Sequence, residues 1–239
     1  MLERALESVR DQGHGVHLVV VVPRSKKDAR ALAKNAGATV VDDPGRGMSA
    51  AINAGLASRT TEQFYSWLGD DDAYAPGGIQ SLKKLLLRNL DAVVAYGACD
   101  YVTDDGDVVW TSRAGGFARW MIGIGPNLIP HPAALIRLDA LHDVGGYDDG
   151  LRLVMDLDVF LKLKKKGPFV STSEVVSQFG WHPESLTVQD RKKSSDEARM
   201  VKKRHLPAWA RPLEPLWEYP VQWASGLAAH SLNRPRRTR

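Results

Sequence analysis

Three adjacent carboxylates, Asp70, Asp71 and Asp72, lie in the segment WLGDDDAYAPGG at positions 67–78. Neighbouring anions repel one another, and each raises the pKa of the others unless a cation neutralises them. A solvated acidic turn is the simplest interpretation of such a run. The alternative is a divalent, oxygen-preferring ion such as Mg²⁺ or Mn²⁺, which typically bridges one or two carboxylates to the phosphates of a substrate. The segment is therefore a candidate site for a metal–diphosphate complex.

A second pair of carboxylates, Asp156 and Asp158, lies in the segment RLVMDLDVFLKL at 152–163. On a helix, the neighbours of Asp156 three, four and seven residues later are apolar, whereas those of Asp158 are mostly charged. We therefore predict that Asp156 faces inward at the start of a helix, and that Asp158 faces solvent and pairs with Lys162. A carboxylate in that place is often only a cap or a partner of the helix dipole. A partly buried one can also act as a general base.

Two histidines beside prolines are weaker candidates. His131 lies in NLIPHPAAL at 127–135, at the predicted mouth of a strand, and is expected to be a contact residue in the wall of a cleft. His182, in FGWHPES, has the same status, and it is either a third metal ligand or a loop residue. A lone histidine is more often structural than catalytic, so neither is assigned a chemical role.

The elements that must position these residues alternate between strand and helix. Short apolar runs bounded by turn residues predict strands, and apolar residues at helical spacing predict helices. The predicted strands include 17–22, 39–43, 63–68, 91–102 and 107–112, and the predicted helices include 28–38, 49–58 and 155–167. Such alternation predicts an α/β sandwich with a mainly parallel central sheet. Ligands bind beyond the carboxyl ends of strands in these folds, and Asp70 to Asp72 directly follow the strand at 63–68.

Composition favours a globular protein of the cytoplasm. The chain has 239 residues, a net charge of +4 and a single cysteine, Cys99, which has no internal partner for a disulfide. The charged segment MLERALESVRDQ is unlike an ordinary secretory signal. No apolar stretch approaches the roughly 20 residues needed to span a bilayer. We therefore expect a cytoplasmic protein that is at most peripheral at the inner face of the membrane.

The last fifty residues differ from the rest, and we predict a main domain at 1–189 followed by a helical, basic extension rich in Pro and Trp at 190–239. Basic runs are usually solvated faces, and no nucleic-acid motif accompanies them, so nucleic-acid binding is not expected. Together with the tryptophans Trp209, Trp217 and Trp223, these runs predict that the extension docks near a membrane or a phosphorylated acceptor. Packing of the tryptophans against the main domain is the alternative.

Four segments together resemble successive motifs of family 2 glycosyltransferases with the GT-A fold. They are GRGMSAAINAGLA, FYSWLGDDDAYAPGGI, PHPAALIRLDALHDVGGYDD and LRLVMDLDVFLKL, in the family's order and with its spacing. The resemblance implies inverting transfer of a sugar from a nucleoside diphosphate sugar to a carbohydrate or lipid-linked acceptor in cell-envelope polysaccharide or glycoconjugate synthesis.

The resemblance also implies roles for individual residues. Asp70 and Asp72 match the ends of the family's DxD motif, and Asp71 and Asp72 match its more constant pair. Asp72 is the first choice as ligand of Mg²⁺ or Mn²⁺, with Asp70 beside it, and Asp156 matches the catalytic base. Arg46 and Asn53, in the first of the four segments, are expected to bind the donor together with Asp70 and Asp71. The segment around His131, and His182, are expected to line the acceptor side.

The sequence departs from the family at its start. Members begin with a strand and a nucleotide-binding loop before the helix that LERALESVRDQ matches, and their second strand ends in an Asp-Gly-Ser turn where this chain has VVPRSKKDA. The resemblance therefore predicts an apolar slot at the centre of the sheet, an upstream in-frame extension that fills it, and weak donor binding by this 239-residue form.

Two other functions stay open from the sequence. VVDDPGRGMSAAINAGLAS also resembles the early part of nucleotidyltransferases, where a glycine loop meets a nucleotide phosphate. A degenerate GT-A-like domain that binds a carbohydrate or a protein without transferring sugar is the non-enzymatic alternative.

Overall fold

The computed structural model describes residues 1–113, 115–181 and 191–213. Its helices are α1 (Leu2–Arg10), α2 (Lys27–Asn35), α3 (Met48–Leu56), α4 (Gly78–Arg88), α5 (Gly115–Met121), α6 (Leu138–Asp143), α7 (Met155–Leu163) and α8 (Arg191–His205). Its strands are β1 (Val19–Val22), β2 (Thr39–Asp42), β3 (Phe64–Tyr65), β4 (Ala73–Tyr74), β5 (Val94–Val102), β6 (Val108–Ser112), β7 (Ala134–Arg137) and β8 (Phe169–Gly180). Short 3₁₀ turns precede β7 (His131–Ala133) and follow α8 (Arg211–Leu213).

The strands form two sheets. β1 and β2 pair in parallel, and the other strands form a six-stranded sheet in the order β3–β7–β5–β8–β4, with β6 also pairing with β5. The predicted α/β sandwich is confirmed, but the larger sheet is mixed: β5 and β8 are parallel, and its other pairs are antiparallel. The β5–β6 pair shows the reason, because only five residues join these strands and so short a turn permits only antiparallel pairing.

Within the described ranges, β1 pairs only with β2, and β3 pairs only with β7. The sequence of β1 is four consecutive valines, which is typical of a strand covered on both faces. Three of these valines nevertheless stay half-exposed. In the described ranges the two sheets are therefore not hydrogen-bonded to each other.

Helices cover both faces of the larger sheet around its central strand, β5. Successive residues of a strand point to opposite faces, and accordingly Val94 and Tyr96 join one apolar cluster while Ala95 and Cys99 join the other. The first cluster is formed largely with α6 and α7, and the second with α4, through Leu82 and Leu86 among others. Two apolar layers, one on each face of the sheet, thus hold β5, β8 and α7 in place.

The described part of the C-terminal extension packs against α7. Val201 of α8 is fully buried in the same apolar cluster as α7. Glu197 accepts hydrogen bonds from the backbone N–H groups of Arg152, Leu153 and Val154, just before α7 begins. The domain boundary at 189/190 stays a prediction. None of the helices in the described ranges is long and apolar enough to cross a bilayer.

Candidate active site

The carboxylate loop at 69–72 is attached to the end of β8 through Asp72. This side chain is buried; its Oδ2 accepts the N–H of Gly69 at 3.1 Å, and its Oδ1 accepts the N–H of Gly180 at 3.0 Å. At both glycine positions, a Cβ atom would lie too close to atoms of the carboxylate loop. A Cβ at position 180 would lie 2.8 Å from the Asp71 carbonyl oxygen, and a Cβ at position 69 would lie 2.6 Å from a carboxylate oxygen of Asp71. Asp72 therefore holds the loop in place.

Burial raises the pKa of Asp72 to about 7, and the charges of Asp71 and Asp70 add to this effect. The hydrogen bonds from Gly180 and Gly69 act in the opposite direction, but they do not compensate for the loss of water. The raised pKa shows that burial, together with the neighbouring carboxylates, disfavours the ionised form of Asp72. A cation beside the loop would lower that pKa and stabilise the ionised cluster.

The other two carboxylates of the loop are more accessible. Asp70 is exposed, and Asp71 is half-buried. Asp71 lines a cavity of about 90 Å³ together with Met1, Arg4, Thr103, Asp104 and Gly180. The Arg4 guanidinium nitrogen Nη2 is buried there without a hydrogen-bond partner in the described part of the chain. A cationic group beside these carboxylates makes this corner suited to bind a charged, oxygen-rich ligand.

Asp156 is the second residue of α7 and is half-buried. Its Oδ2 accepts a hydrogen bond of 2.8 Å from the side-chain amide of Asn127. Burial raises the pKa of Asp156 to about 6, although backbone N–H groups at Leu157 and Asp156 itself, and the Asn127 amide, favour the ionised form. A carboxylate with a pKa near 6 is ionised at pH 7 and is more basic than an exposed aspartate, as a general base requires.

The predicted contrast between Asp156 and Asp158 is half wrong. Asp158 does pair with Lys162, at 2.8 Å, but it is completely buried rather than solvent-facing. The reason is α8, which covers this side of α7 and brings the Nε2 atom of His205 to 2.8 Å from Asp158 Oδ1. Asp158 is thus an internal ion-pair partner that joins α7 to α8.

Tyr101, near the end of β5, packs among other aromatic side chains. Burial raises its pKa above the ordinary range, and the negative charges of Asp72 and Asp156 raise it further. The ring also contacts those of Trp110, Phe179 and Trp181, with centroids 4.7, 5.2 and 6.3 Å away. Phe179 directly precedes Gly180, whose N–H binds Asp72, so this aromatic cluster lies beside the carboxylate loop.

His131 does not line an open cleft as predicted. It is buried, its ring stacks on Trp67 with centroids 4.7 Å apart, and its Nε2 lies 2.6 Å from the hydroxyl of Tyr147. Burial lowers the pKa of His131 to about 3, so the ring is neutral. The side chain is part of the core in this geometry, and the acceptor contact that the resemblance implies for it stays a prediction. His182 lies outside the described residues.

Asn53 and Arg46 are directed to the loop at 145–149. Both amide hydrogens of Asn53 are used there, on the Tyr147 carbonyl and the Asp149 carboxylate, and its oxygen accepts the Tyr147 N–H. Arg46 is exposed and lies 3.5 Å from Asp149. Asn53 thus positions this loop, and the donor contact predicted for it would require breaking these bonds.

Three residues of the site region are absent from the sequence-based prediction. Asn127 orients Asp156, and Gly180 leaves space for the carboxylate loop and donates to it. Glu197 accepts hydrogen bonds from the backbone just before α7. Asn127 lies four residues before His131, within the segment at 127–135 in which the sequence indicated the histidine instead. Gly180 and Glu197 act through tertiary contacts and leave no local signal.

Comparison with known proteins identifies the family. Residues 1–144 match the family described as Glycosyl transferase family 2, which is more than half of the chain. The chain belongs to this family. Membership confirms the resemblance drawn from the four segments and favours a glycosyltransferase over a nucleotidyltransferase.

Relatives and solved structures agree with membership of glycosyl transferase family 2. An uncharacterized glycosyltransferase of Rickettsia felis is 24% identical over 146 residues, which cover 58% of this chain and 24% of the relative. The fold resembles S. aureus TarS 1-349 in complex with UDP-GlcNAc, with a TM-score of 0.63, 12% identity and coverage of 92% of this chain and 67% of that one. It also resembles the mannosyltransferase PcManGT from Pyrobaculum calidifontis in complex with GDP-Man and Mn²⁺, with a TM-score of 0.60, 16% identity and coverage of 98% and 72%.

Proposed function

We propose that this protein transfers a sugar, with inversion, from a nucleoside diphosphate sugar to a hydroxyl of a carbohydrate or lipid-linked acceptor. Family membership supports the reaction class, and two proteins of similar fold bind UDP-GlcNAc and GDP-Man. A cytoplasmic location and a role in cell-envelope polysaccharide or glycoconjugate synthesis belong to the same proposal. The observations that carry it are the family match over residues 1–144 and the half-buried carboxylate of Asp156, which the Asn127 amide holds at 2.8 Å.

Asp156 acts as the base. An alcohol is a weak nucleophile until a carboxylate within hydrogen-bond reach accepts its proton. The amide of Asn127 fixes the carboxylate of Asp156, and the raised pKa of about 6 makes it a better proton acceptor. A single base that activates the acceptor on one face of the sugar, with the diphosphate leaving from the other, gives inversion in one displacement.

The carboxylate loop fits a metal–diphosphate complex through Asp71 and Asp70 rather than through Asp72. The described residues contain no ready group of three or more Asp, Glu, His or Cys for a metal. One or two carboxylates suffice when water and phosphates complete the coordination shell. Asp72 already accepts two backbone N–H groups and is buried, whereas Asp71 lines the cavity and Asp70 is exposed. When bound, Mg²⁺ or Mn²⁺ would supply Lewis-acid stabilisation of the leaving diphosphate.

The cavity beside Asp71 is small in the described residues, and a small cavity favours weak donor binding. The same observation supports the non-catalytic alternative. The cavity beside Asp71 has about 90 Å³, whereas pockets for small molecules span about 300–1,000 Å³. A domain that binds carbohydrate without transferring sugar would also tolerate such a cavity. The raised pKa of Asp156 favours catalysis, because burial of a carboxylate reduces stability and carboxylates perturbed in this way are concentrated at functional sites.

Release of nucleoside diphosphate from UDP-, GDP- and dTDP-sugars, supplied in excess with Mn²⁺, tests the proposal. We expect release from one nucleotide class, loss of that release in EDTA, and loss in the Asp156→Asn variant. Absence of release from all three donors, together with saturable carbohydrate binding, would instead establish the non-catalytic domain. Release that EDTA leaves unchanged would refute the metal assignment alone.

A further inference from the structure

The short helix α5 and the residues just after it carry an exposed apolar face. Phe117 and Trp120 are 61% and 67% exposed, and Ile124, one turn beyond Trp120, is 48% exposed. The opposite side of the same segment is anchored, because Ala118 and Ile122 are fully buried in the core. Three large apolar side chains projecting together from one fixed segment are unusual for a protein surface that contacts only water.

A basic groove lies directly beside this face. It has a volume of about 390 Å³ and is formed between α5 and the turn that joins α7 to β8; its lining includes Arg119, Trp120, Lys164, Lys165, Lys166 and Phe169. The Arg119 guanidinium lies 5.6 Å from the centre of the Trp120 ring and donates to the Phe169 carbonyl at 3.2 Å. No carboxylate lines the groove, and the nearest described ion pair is Lys166 with Asp143 at 3.6 Å.

We propose that this surface docks the protein on an anionic bilayer. Phe117, Trp120 and Ile124 enter the interface between headgroups and acyl chains, and the groove receives the phosphate of an anionic lipid. Aromatic and aliphatic side chains rimmed by lysine and arginine are the pattern of interfacial membrane binding, because apolar burial and attraction to anionic lipid act together. Of the four cations that line the groove, only Lys166 pairs with a carboxylate in the described part of the chain, Asp143, so the groove keeps an excess of positive charge that complements a surface of uniform negative charge.

The docking surface is joined to the proposed base by a short segment. Asn127, three residues after Ile124, donates to Asp156, and the Tyr96 hydroxyl of β5 donates to the carbonyl of Gly115 at the start of α5. A lipid-linked acceptor held in the bilayer would therefore approach Asp156 from the side of α5. This last step rests on the proposed function, whereas the docking itself does not.

Sedimentation with vesicles of phosphatidylcholine alone, and of phosphatidylcholine with phosphatidylglycerol, tests the proposal without any donor. We expect binding to the anionic vesicles that weakens with salt. The double variant Lys164→Gln, Lys165→Gln should bind about 30-fold more weakly, at roughly 1 kcal/mol for each lysine near the surface. The matched control Lys83→Gln, Lys84→Gln removes the same charge from exposed positions of α4 and should bind like the wild type.

A second pair of variants separates this surface from the C-terminal extension. Trp120→Ala should reduce vesicle binding, whereas Trp209→Ala, at a tryptophan that is 76% exposed, should not. Circular dichroism establishes that each variant is folded. Equal losses in the two lysine pairs, loss only in Trp209→Ala, or no binding to anionic vesicles at low salt would each overturn the proposal. Failure of sugar transfer would leave the vesicle result unaffected, so the two proposals fail separately.

Discussion

Replacing Asp158 with Asn should destabilise the protein without removing the base. Asp158 is fully buried between α7 and α8, with Lys162 Nζ at 2.8 Å from one carboxylate oxygen and His205 Nε2 at 2.8 Å from the other. Asn has nearly the same shape but no charge, so both partners would lose a buried anion. The perturbation therefore removes both the ion pair within α7 and the link from α7 to His205 of α8.

The expected loss is set by the burial of the partners. Removing one member of a buried ion pair typically lowers the free energy of unfolding by about 3–5 kcal/mol. Lys162 and His205 have side chains 25% and 11% exposed, so water compensates part of the loss. We therefore expect a decrease of about 2–3 kcal/mol, which lowers the Tm by about 4–12 °C for a chain of this size.

The pH dependence of this effect has a definite sign. Burial by itself would raise the pKa of Asp158, but the bonds to His205 and Lys162 outweigh it and hold that pKa below its usual value of 3.8. A group whose pKa is lower in the folded state stabilises the fold above its unfolded pKa and loses this effect as the pH falls. The difference in unfolding free energy between wild type and Asp158→Asn should thus be complete at pH 7 and shrink below about pH 4.

Asp156→Asn is the matched control, with the same chemical change two residues away on the same helix. Burial raises the pKa of Asp156 to about 6, so the ionised form is disfavoured in the folded state at pH 7. The variant should keep or gain stability, by up to about 2 kcal/mol, while turnover falls about 10²–10⁴-fold. Urea unfolding and donor turnover, measured on both variants, check these expectations. An Asp158→Asn variant as stable as wild type, or an Asp156→Asn variant with full turnover, would refute the reasoning.

Three further predictions concern the same site. Turnover should rise from acid pH to a plateau with an apparent pKa of about 6, seen in a pH–rate profile, because Asp156 must be ionised to accept a proton. Asp71→Asn should weaken Mn²⁺-dependent nucleotide binding in calorimetry, whereas Asp72→Asn, at a carboxylate already held by two backbone N–H groups, should weaken it less. Glu197→Gln should lower the Tm in thermal melts, because three N–H groups before α7 lose a charged acceptor.

Much of the fold follows from local sequence patterns. The apolar runs at 17–22 and 39–43 contain β1 and β2, and the turn at Asp105 and Gly106 joins β5 to β6 as a hairpin. Gly106 has a φ of 88°, a value that glycine adopts easily and that such a turn requires. Elements of this kind are predictable because their apolar spacing and their turn residues lie within the element itself.

Strand β8 and helix α5 are not predicted. β8 is the longest strand, but its residues include serine, threonine, glutamate and glutamine without regular alternation. Its length is set by pairing with both β5 and β4, which are distant in sequence. The same pairing places Gly180 at the carboxylate loop, so a contact that holds the site has no local signature.

The exposure expected for Asp158 and His131 is wrong for the same physical reason: in each case a segment distant in sequence packs over the side chain. The exposure of Asp158 was predicted from the neighbours on its own helix, and α8, which packs against that side, begins 33 positions later. His131 lies between prolines, as a loop residue would, yet Trp67 and Tyr147 enclose it. The inward position of Asp156 was predicted well, because it depends on the apolar face of α7 alone.

The most direct test of the account is the anomeric configuration of the product, followed by proton NMR during turnover of an α-linked sugar nucleotide. A single displacement, with Asp156 as the base that activates the acceptor hydroxyl, predicts that the first product is the β-anomer and that the signal disappears in Asp156→Asn. An α-configured first product, formed at the wild-type rate by Asp156→Asn, would contradict it.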